Sequence, residues 1–434
     1  MILQKWEPGR RRYVEWIAFL FIGVIGGVLT FIHPITILSV AMLGGVIFVL
    51  KKYPEIFIPL YVFSGYYKSI IPGLDITFIF FMFTVLAVCL KIYENSEIIV
   101  DLFRIPGATS MIAFLFLIVI SLIYTSSSEA ALEKTAKVIL LTGGAFFSSI
   151  ILVRTLRQLQ NVFLTLVCLG TIMSLVSVVT GERAVFGSNY LSLGFISSLS
   201  IIILLFYFFG RNRNILLFVP ILINFIAMLN SAARGPVFFL PLTFFITIAL
   251  SKLKFQKKIR TYITFIIFSV LAIFILYVVV PQSFSTLLMR LNAMESTEQD
   301  TNSQYRAYHI ERALHLIYLE PITGIGIGGY GMSSEGIDDT RIYPHNIFLE
   351  IGAELGVIGL LTFVLIIAGV FAHYFIHRGA YLYVDHALIA CALYSFANTL
   401  KAGNLVDNRT FFLFLGLMLT IHLFTEQEGE SFES

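Results

Sequence analysis

The sequence predicts an all-α polytopic integral membrane protein of about 12 to 14 transmembrane helices, with one long outer-face loop containing an amphipathic helix. Three observations predict it. Of 434 residues, 58% are hydrophobic and only 13% charged, whereas globular domains carry about 25% charged residues. Apolar runs of roughly 15 to 20 residues recur along nearly the whole chain, the length a helix needs to cross ~30 Å of hydrocarbon. Basic residues also recur on alternate connections between those runs.

In order along the chain, helices are expected near 14–32, 35–50, 55–71, 76–93, 108–124, 138–153, 161–180, 191–209, 215–231, 236–250, 261–280, 346–372, 386–400 and 410–424. The opening KWEPGRRR and its apolar run resemble a signal peptide, but the run continues to Ile32 without a small-residue cleavage site, so a retained first helix is expected. An even number of spans leaves both termini on one side. Lys5, Arg10, Arg11, Arg12, Lys51, Lys52, Arg154, Arg157, Arg211, Arg213 and the cluster from Lys252 to Arg260 fall on that side, which is therefore the cytoplasm. The formal charge of +3 says little by itself, and no nucleic-acid partner is expected. Cys89, Cys168 and Cys391 sit in apolar runs and read as small buried hydrophobes, so neither a disulfide nor a cysteine metal site is expected.

Three parts follow: a helix bundle over 1–280, an extracytoplasmic (periplasmic) loop over 281–345, and C-terminal spans over 346–434. A loop this long is usually functional or disordered, and this one is not of low complexity. Asn302 or Ser303 can cap a helix through QYRAYHIERALHLIYLE, amphipathic and ending before Pro321, which suits the outer membrane surface. Beyond it, Gly324, Gly326 and Gly329 have the spacing of a dinucleotide-binding turn. That turn needs a strand before the first glycine and a helix at the last; here a helix comes first, on a face without nucleotide supply. The glycines instead suit a tightly folded loop lying close against helices or a ligand.

The outer-face ionisable residues are the informative ones. Arg183 in GERAVFGSNY, Arg234 in NSAARGPVFF, Arg306 in SQYRAYH and His345 in YPHNIFLE each lie at or beside the outer end of a span. Taken singly, an interfacial arginine can snorkel to headgroups, and a lone histidine is usually a satisfied polar residue. Together, three arginines on the side where basic residues are rare need an anionic partner, and a diphosphate lipid supplies one, since the guanidinium fork matches phosphate oxygens. His345 and Asn346 open the next span, where amides and the helix dipole favour an anion. His345 is suited to accept a hydroxyl proton or to position that hydroxyl. Arg183, Asn346, Arg341 and Glu354 are the expected substrate or diphosphate contacts, and His345, Arg234 and Arg306 the catalytic group. Glu350 and Glu354 lie one turn apart in the span; a buried carboxylate there needs a partner, and a structural pairing and a catalytic role both stand. Gly352, Gly356 and Gly359 form a small face suited to another helix. Asp338 and Asp339 are the acidic pair that a metal would use, but with no sugar nucleotide outside the cell they read as a solvated turn; no metal and no cofactor is expected.

These motifs resemble the O-antigen ligase and polymerase family of bacterial membrane glycosyltransferases. The match is strongest from EPITGIGIGGYG through YPHNIFLEIGAELGVIGLL, with a Pro-Gly run, His345-Asn346, and Gly356 and Gly359 nine residues on. Arg306 resembles the family arginine ahead of that run, and SAARGP its Arg-Gly motif, which matches Arg234. ERAVFGSNYLSLGF is similar to the family's Arg, Gly and Asn-rich turn but lacks Asn-Pro-Asn, which leaves Arg183 a degenerate match. The resemblance implies inverting, metal-independent transfer of a glycan from an undecaprenyl diphosphate carrier to a sugar hydroxyl at the outer face of the bacterial inner membrane. Membrane lipids and a chain-length regulator protein are the further partners it implies. The acceptor is another repeat unit for a polymerase and lipid A core for a ligase. Heavy use of Ile, Phe and Lys hints at a low-GC genome, often one without lipid A, and favours the polymerase. A lipid-linked glycan transporter is the reading from another class, but it would place charges at the midplane of repeated halves.

Overall fold

The computed structural model describes residues 44–70, 75–210, 215–279, 301–378 and 382–423, with a few single positions between them. The expected span 14–32, the start of the next, the basic residues Lys5, Arg10, Arg11, Arg12, Arg211 and Arg213, and most of 281–300 lie outside the described residues. Contacts divide the chain after Pro54. Residues 44–52 are helical in the first unit; the site lies wholly in the second.

That unit consists of helices and turns. After α1 (Phe57–Phe63) come α2 (Ile76–Glu94), α3 (Glu97–Arg104), α4 (Pro106–Ser121), α5 (Glu129–Leu152) and α6 (Leu156–Thr180). Then follow α7 (Tyr190–Gly210), α8 (Phe218–Asn230), α9 (Arg234–Leu250), α10 (Phe255–Val279) and α11 (Thr301–Leu319). The last four are α12 (Tyr330–Glu335), α13 (Ile347–His377), α14 (Leu382–Thr399) and α15 (Arg409–Leu419). Among the described residues, five helices (α2, α5, α6, α7 and α13) are long and apolar enough to cross a membrane, and a sixth span results if α3 and α4, bent by 90°, count as one. This is the all-α polytopic membrane class that composition predicted. Among the described residues some of the expected runs are short or broken: the run near 55–71 is α1 between the 3-10 turns Pro54–Ile56 and Ser64–Tyr67.

Two boundaries differ from the sequence reading. The connection expected before residue 138 is helical from Glu129, because EAALEKTAK buries Ala130, Ala131, Lys134 and Thr135 on one face and continues through a π-helical turn at Val138–Gly143. Helix α11 begins at Thr301, which puts Asn302 and Ser303 inside its first turn.

In lipid, helices associate by close packing and buried polar contacts more than by hydrophobic drive. Accordingly α13 packs on α4 and α15 on α5; a side chain at Gly107 would meet Val370, and one at Gly416 the Phe146 backbone. A polar seam joins α6, α7 and α8: Ser174 lies 2.8 Å from the Ser197 hydroxyl and donates to Asn224 Oδ1 at 2.9 Å, while Asn224 Nδ2 donates to Thr171 at 2.8 Å. Basic residues gather at one end, where Arg154 pairs with Asp101 at 3.7 Å, Lys258 donates to Ala249 O at 2.7 Å, and Arg378 to Leu250 O at 3.2 Å. The turns that carry the expected site residues meet at the other end.

The glycine-rich segment explains how that end is held together. Helix α13 is broken at Gly356 (φ 62, ψ −160), which frees backbone groups that need partners. The segment supplies them from both directions. Ile325 and Gly326 amides donate to the Ala353 and Glu354 carbonyls at 3.0 and 2.9 Å, while Val357 and Ile358 amides donate to the Pro321 and Ile322 carbonyls at 2.9 and 3.3 Å. Gly324 and Gly326 have φ of 69° and 86°, and a Cβ on them would strike the backbones of Glu354 and Thr125. These two glycines face protein backbone, so the space their missing side chains leave is filled by the protein itself. The expected small-residue face at Gly352, Gly356 and Gly359 is corrected in one respect: Gly352 faces Ile317 of α11, but Gly356 admits the loop backbone at Ile322 where a helix was expected.

Candidate functional site

The chain reverses abruptly at Pro344-His345-Asn346. His345 has a φ of +56°, a region that non-glycine residues seldom occupy. Asn346 returns to an extended conformation and caps α13, its Oδ1 accepting the Phe348 and Leu349 amides at 2.9 and 3.2 Å. Its Nδ2 donates to the Leu400 carbonyl at 3.0 Å. Asn346 thus fills the helix N-terminus itself and binds the turn after α14, so the open anion position expected there is occupied by its own amide.

The imidazole of His345 is half-buried, with Tyr343 4.4 Å and Tyr305 6.4 Å away between ring centroids. Burial, then the positive charge of Arg306, then His309, push its pKa down to about 4. At neutral pH it is an uncharged imidazole with a lone pair to offer.

Arg306 is the half-buried member of α11 on this side. It acts electrostatically on three groups: His345, Tyr343 and Lys401. Lys401 follows α14, and burial together with Arg306 brings its pKa down to about 8. Its stem crosses Gly235, where a Cβ would collide with Nζ, and the ammonium lies 5.4 Å over the Phe239 ring. Through Gly235 and Lys401, the Arg-Gly turn that begins α9 joins Arg306 and His345. Arg234 is on that turn, after Ala232 at φ +51°.

Arg183 sits in the connection between α6 and α7 at the same end. That connection is held by Ser177, which donates to Glu182 O at 2.6 Å, and by the Ser69 amide, which donates to Phe186 O at 3.0 Å. Phe186 has a φ of 55°. Among the described residues, the three non-glycine positions with positive φ are Phe186, Ala232 and His345, one in each turn that carries an expected site residue. Such conformations cost energy and cluster at functional sites.

The remaining expected residues point elsewhere. Arg341 is 88% exposed and grips Asp339, with Nε at 3.0 and 2.9 Å from its two oxygens and Nη2 at 2.6 Å. Asp338 accepts from Ser127 and from the Ala130 amide at 3.2 Å, at the start of α5. Those hydrogen bonds hold the Asp338 carboxyl below its usual range, as Arg341 does for Asp339. The two acids therefore serve different partners. Glu354 is 2% exposed and both its oxygens lie at 2.7 and 2.8 Å from Lys134 Nζ; Glu350 meets the same ammonium at 2.5 Å. The structural pairing left open for these carboxylates is the one observed.

Four charged residues here were not singled out from the sequence. Lys401 and Asp407 lie between α14 and α15 and Arg409 opens α15, all within LKAGNLVDNR, and Lys134 lies in α5. Asp407 reaches water yet is surrounded by protein, which raises its pKa against the opposing charges of Arg409, Lys68 and Lys137. The signal was available: the alternation that placed the arginines on one side places this connection there too.

Chemically, the site offers a neutral imidazole and an ammonium, each within electrostatic reach of one guanidinium, with a second guanidinium on the adjoining turn. That set suits a substrate whose charge is anionic and whose nucleophile loses a proton. Residues 219–364 match the family model described as O-antigen ligase. No curated protein matches the chain. The matched residues run from α8 into α13 and include Arg234, Arg306, the glycine-rich segment and His345-Asn346. Over that segment, this multi-pass membrane protein is similar to the O-antigen ligase family, in keeping with the motifs read from its sequence.

Proposed function

We propose that this chain is an inverting, metal-independent glycosyltransferase. It moves a glycan from an undecaprenyl diphosphate carrier to a sugar hydroxyl at the outer face of the inner membrane, and its product is a surface polysaccharide made by polymerisation. The observation that carries the reading is that Arg306 acts on both a neutral His345 and Lys401, whose side chain reaches Gly235 beside Arg234. The cationic end binds the carrier diphosphate. His345 takes the proton of the acceptor hydroxyl, the hydroxyl oxygen bonds to the anomeric carbon, and the bond from that carbon to the diphosphate oxygen breaks. Inversion follows from a single displacement. Charge growing on the departing diphosphate meets cations already in place, which is where preorganised groups lower a barrier most.

The low pKa of the empty site is consistent with this role. A bound diphosphate offsets the charge of Arg306, so His345 becomes more basic once the donor is in place. Arg183 is assigned to the same anion from its turn, and Asn346 positions His345. Arg341 stays with Asp339, and Glu354 supports the site through Lys134.

The basic end of the bundle is assigned to the cytoplasm, with both termini there and the site outside. Cysteine placed at Ser333 is expected to react with an impermeant reagent from outside, and cysteine at Gln256 is not; the reverse pattern inverts the topology. The acceptor is tested in two strains making the matching repeat unit, one lacking its polymerase and one its ligase. A polysaccharide ladder in the first supports polymerisation. Restored attachment to lipid A core in the second assigns the ligase, and product formation from pre-flipped donor in detergent excludes a transporter.

A further inference from the structure

Below the site, and outside the reaction steps above, lies a three-residue ion cluster. Lys134 of α5 is 3% exposed and its ammonium is shared by Glu350 and Glu354 of α13, which are 1% and 2% exposed. Charges at such depth persist only when paired, and removing one partner leaves the others buried without compensation. The two carboxylates are nonetheless not equivalent. Both oxygens of Glu354 are taken by Lys134. Glu350 gives one oxygen to Lys134 and uses the other, Oε2, to accept the Leu405 amide at 2.9 Å. Leu405 is buried, and its carbonyl accepts the Thr142 hydroxyl of α5 at 3.1 Å.

Leu405 is the inner anchor of the turn 400–408, whose outer anchor is the Leu400 carbonyl on Asn346. Between and beyond these anchors lie Lys401, Asp407 and Arg409. We propose that Lys134 is a positioning residue for the transfer reaction. By holding Glu350 in the orientation that accepts the Leu405 amide, it fixes the turn that delivers Lys401 to the anion site. Glu354 gives both its oxygens to the same ammonium and does not reach the turn. The inference rests on the function proposed above only for its effect on rate, not for the anchoring itself.

The test reads the turn directly. In full-length protein with Cys89 and Cys168 replaced by alanine, Ala402→Cys reports the turn through its rate of reaction with an impermeant maleimide; Cys391 is fully buried. Lys134→Met and Glu350→Met are expected to speed labelling about fivefold, the scale on which loss of one hydrogen bond shifts a local opening equilibrium. Glu354→Met is expected to leave it within about twofold, because Lys134 still holds Glu350. Glu350→Gln has one acceptor oxygen for two donors, Lys134 and the Leu405 amide, so it should label between the parent and Glu350→Met, and a melting temperature near the parent's guards against a general loss of folding. Equal effects of Glu350→Met and Glu354→Met, or parent-like labelling in Lys134→Met, overturn the proposal. Transfer rates should fall in the same order, with Lys134→Arg recovering part of both readouts. If the labelling order holds but no variant, parent included, transfers glycan, it is the reaction assignment that fails and the anchoring stands.

Discussion

The side-chain amide of Asn346 donates to the Leu400 carbonyl at 3.0 Å while its oxygen caps α13, so one residue ties the start of a membrane helix to the turn that carries Lys401. The two functions can be separated. Asn346→Asp keeps the cap, worth about 1 kcal/mol, but has no donor for Leu400. Its melting temperature is expected to match the parent while transfer falls about tenfold, the size of one lost charge-orienting contact. Asn346→Ala should lose both; parent-like transfer in Asn346→Asp would show that the Leu400 link has no part in the reaction.

His345→Ala, Arg306→Ala and Arg234→Ala are each expected to abolish transfer in protein that is still inserted and monodisperse. Loss of an oriented charge-stabilising donor costs about a hundredfold or more, and loss of a general base ~10² to 10⁴. Lysine at Arg234 should rescue in part, since a point charge cannot reproduce the planar fork. Arg341→Ala, already engaged by Asp339 and exposed, is expected to stay within about threefold, as exposed ion pairs contribute little. A near-normal rate for the histidine variant rules out the base assignment.

The pH dependence follows from His345. Its pKa in the empty site is pushed down to about 4 from an ordinary 6.5, first by burial and then by Arg306. The acidic limb of kcat/KM, which reports the free enzyme, should therefore fall well below pH 6.5. The limb of kcat should lie higher, because bound diphosphate offsets Arg306. Arg306→Gln should raise the first limb in whatever residual activity remains. For stability the sign is the same: the lowered pKa means that the unfolded chain binds the proton more readily, so this contribution is present above pH 6.5 and is lost as pH falls toward 4. Coincident limbs in parent and Arg306→Gln would disprove the coupling.

Gly235→Ala tests why the Arg-Gly turn needs its glycine. Gly235 is helical and has no unusual φ, so the backbone accepts alanine, but the added methyl takes the space of the Lys401 ammonium and must displace it. The expected result is loss of transfer by tenfold or more, on the scale of a displaced catalytic cation, with thermal stability nearly unchanged. Gly235→Ala combined with Lys401→Ala should bind diphosphate as weakly as Lys401→Ala alone. An additive further loss in the double variant argues against this contact.

Asp338 and Asp339 are committed to Ser127 and Ala130 on one side and Arg341 on the other. Replacing both by asparagine should leave transfer within a few-fold, while lowering the melting temperature through the weakened start of α5. Chelator should leave the parent rate unchanged. Inhibition by EDTA that Mg²⁺ or Mn²⁺ reverses would return the acidic pair to the chemistry.

Much of this protein is legible along the chain. Apolar run length sets a membrane class whatever the packing, because a helix in lipid must satisfy its own backbone. The Pro-Gly run, His345-Asn346 and the Arg-Gly turn are contiguous in sequence, and a contiguous motif keeps its meaning without coordinates. Even the choice of a folded loop over a nucleotide turn followed from the helix preceding the glycines. What remained undecided depended on partners far apart in the chain. Lys134 and Glu354 are 220 positions apart, and nothing local to either says that they meet. Glu354 is singled out in the sequence over Glu350 one turn away, and only the folded chain shows that both reach Lys134 while Glu350 alone also accepts the Leu405 amide. Lys401 reads as one basic residue in a short connection, and only the bare α-carbon of Gly235 shows where its ammonium goes. Run length and local motifs are properties of a segment, and the sequence carries them whole. Which charge answers which is a property of burial, and burial is decided only when the helices pack.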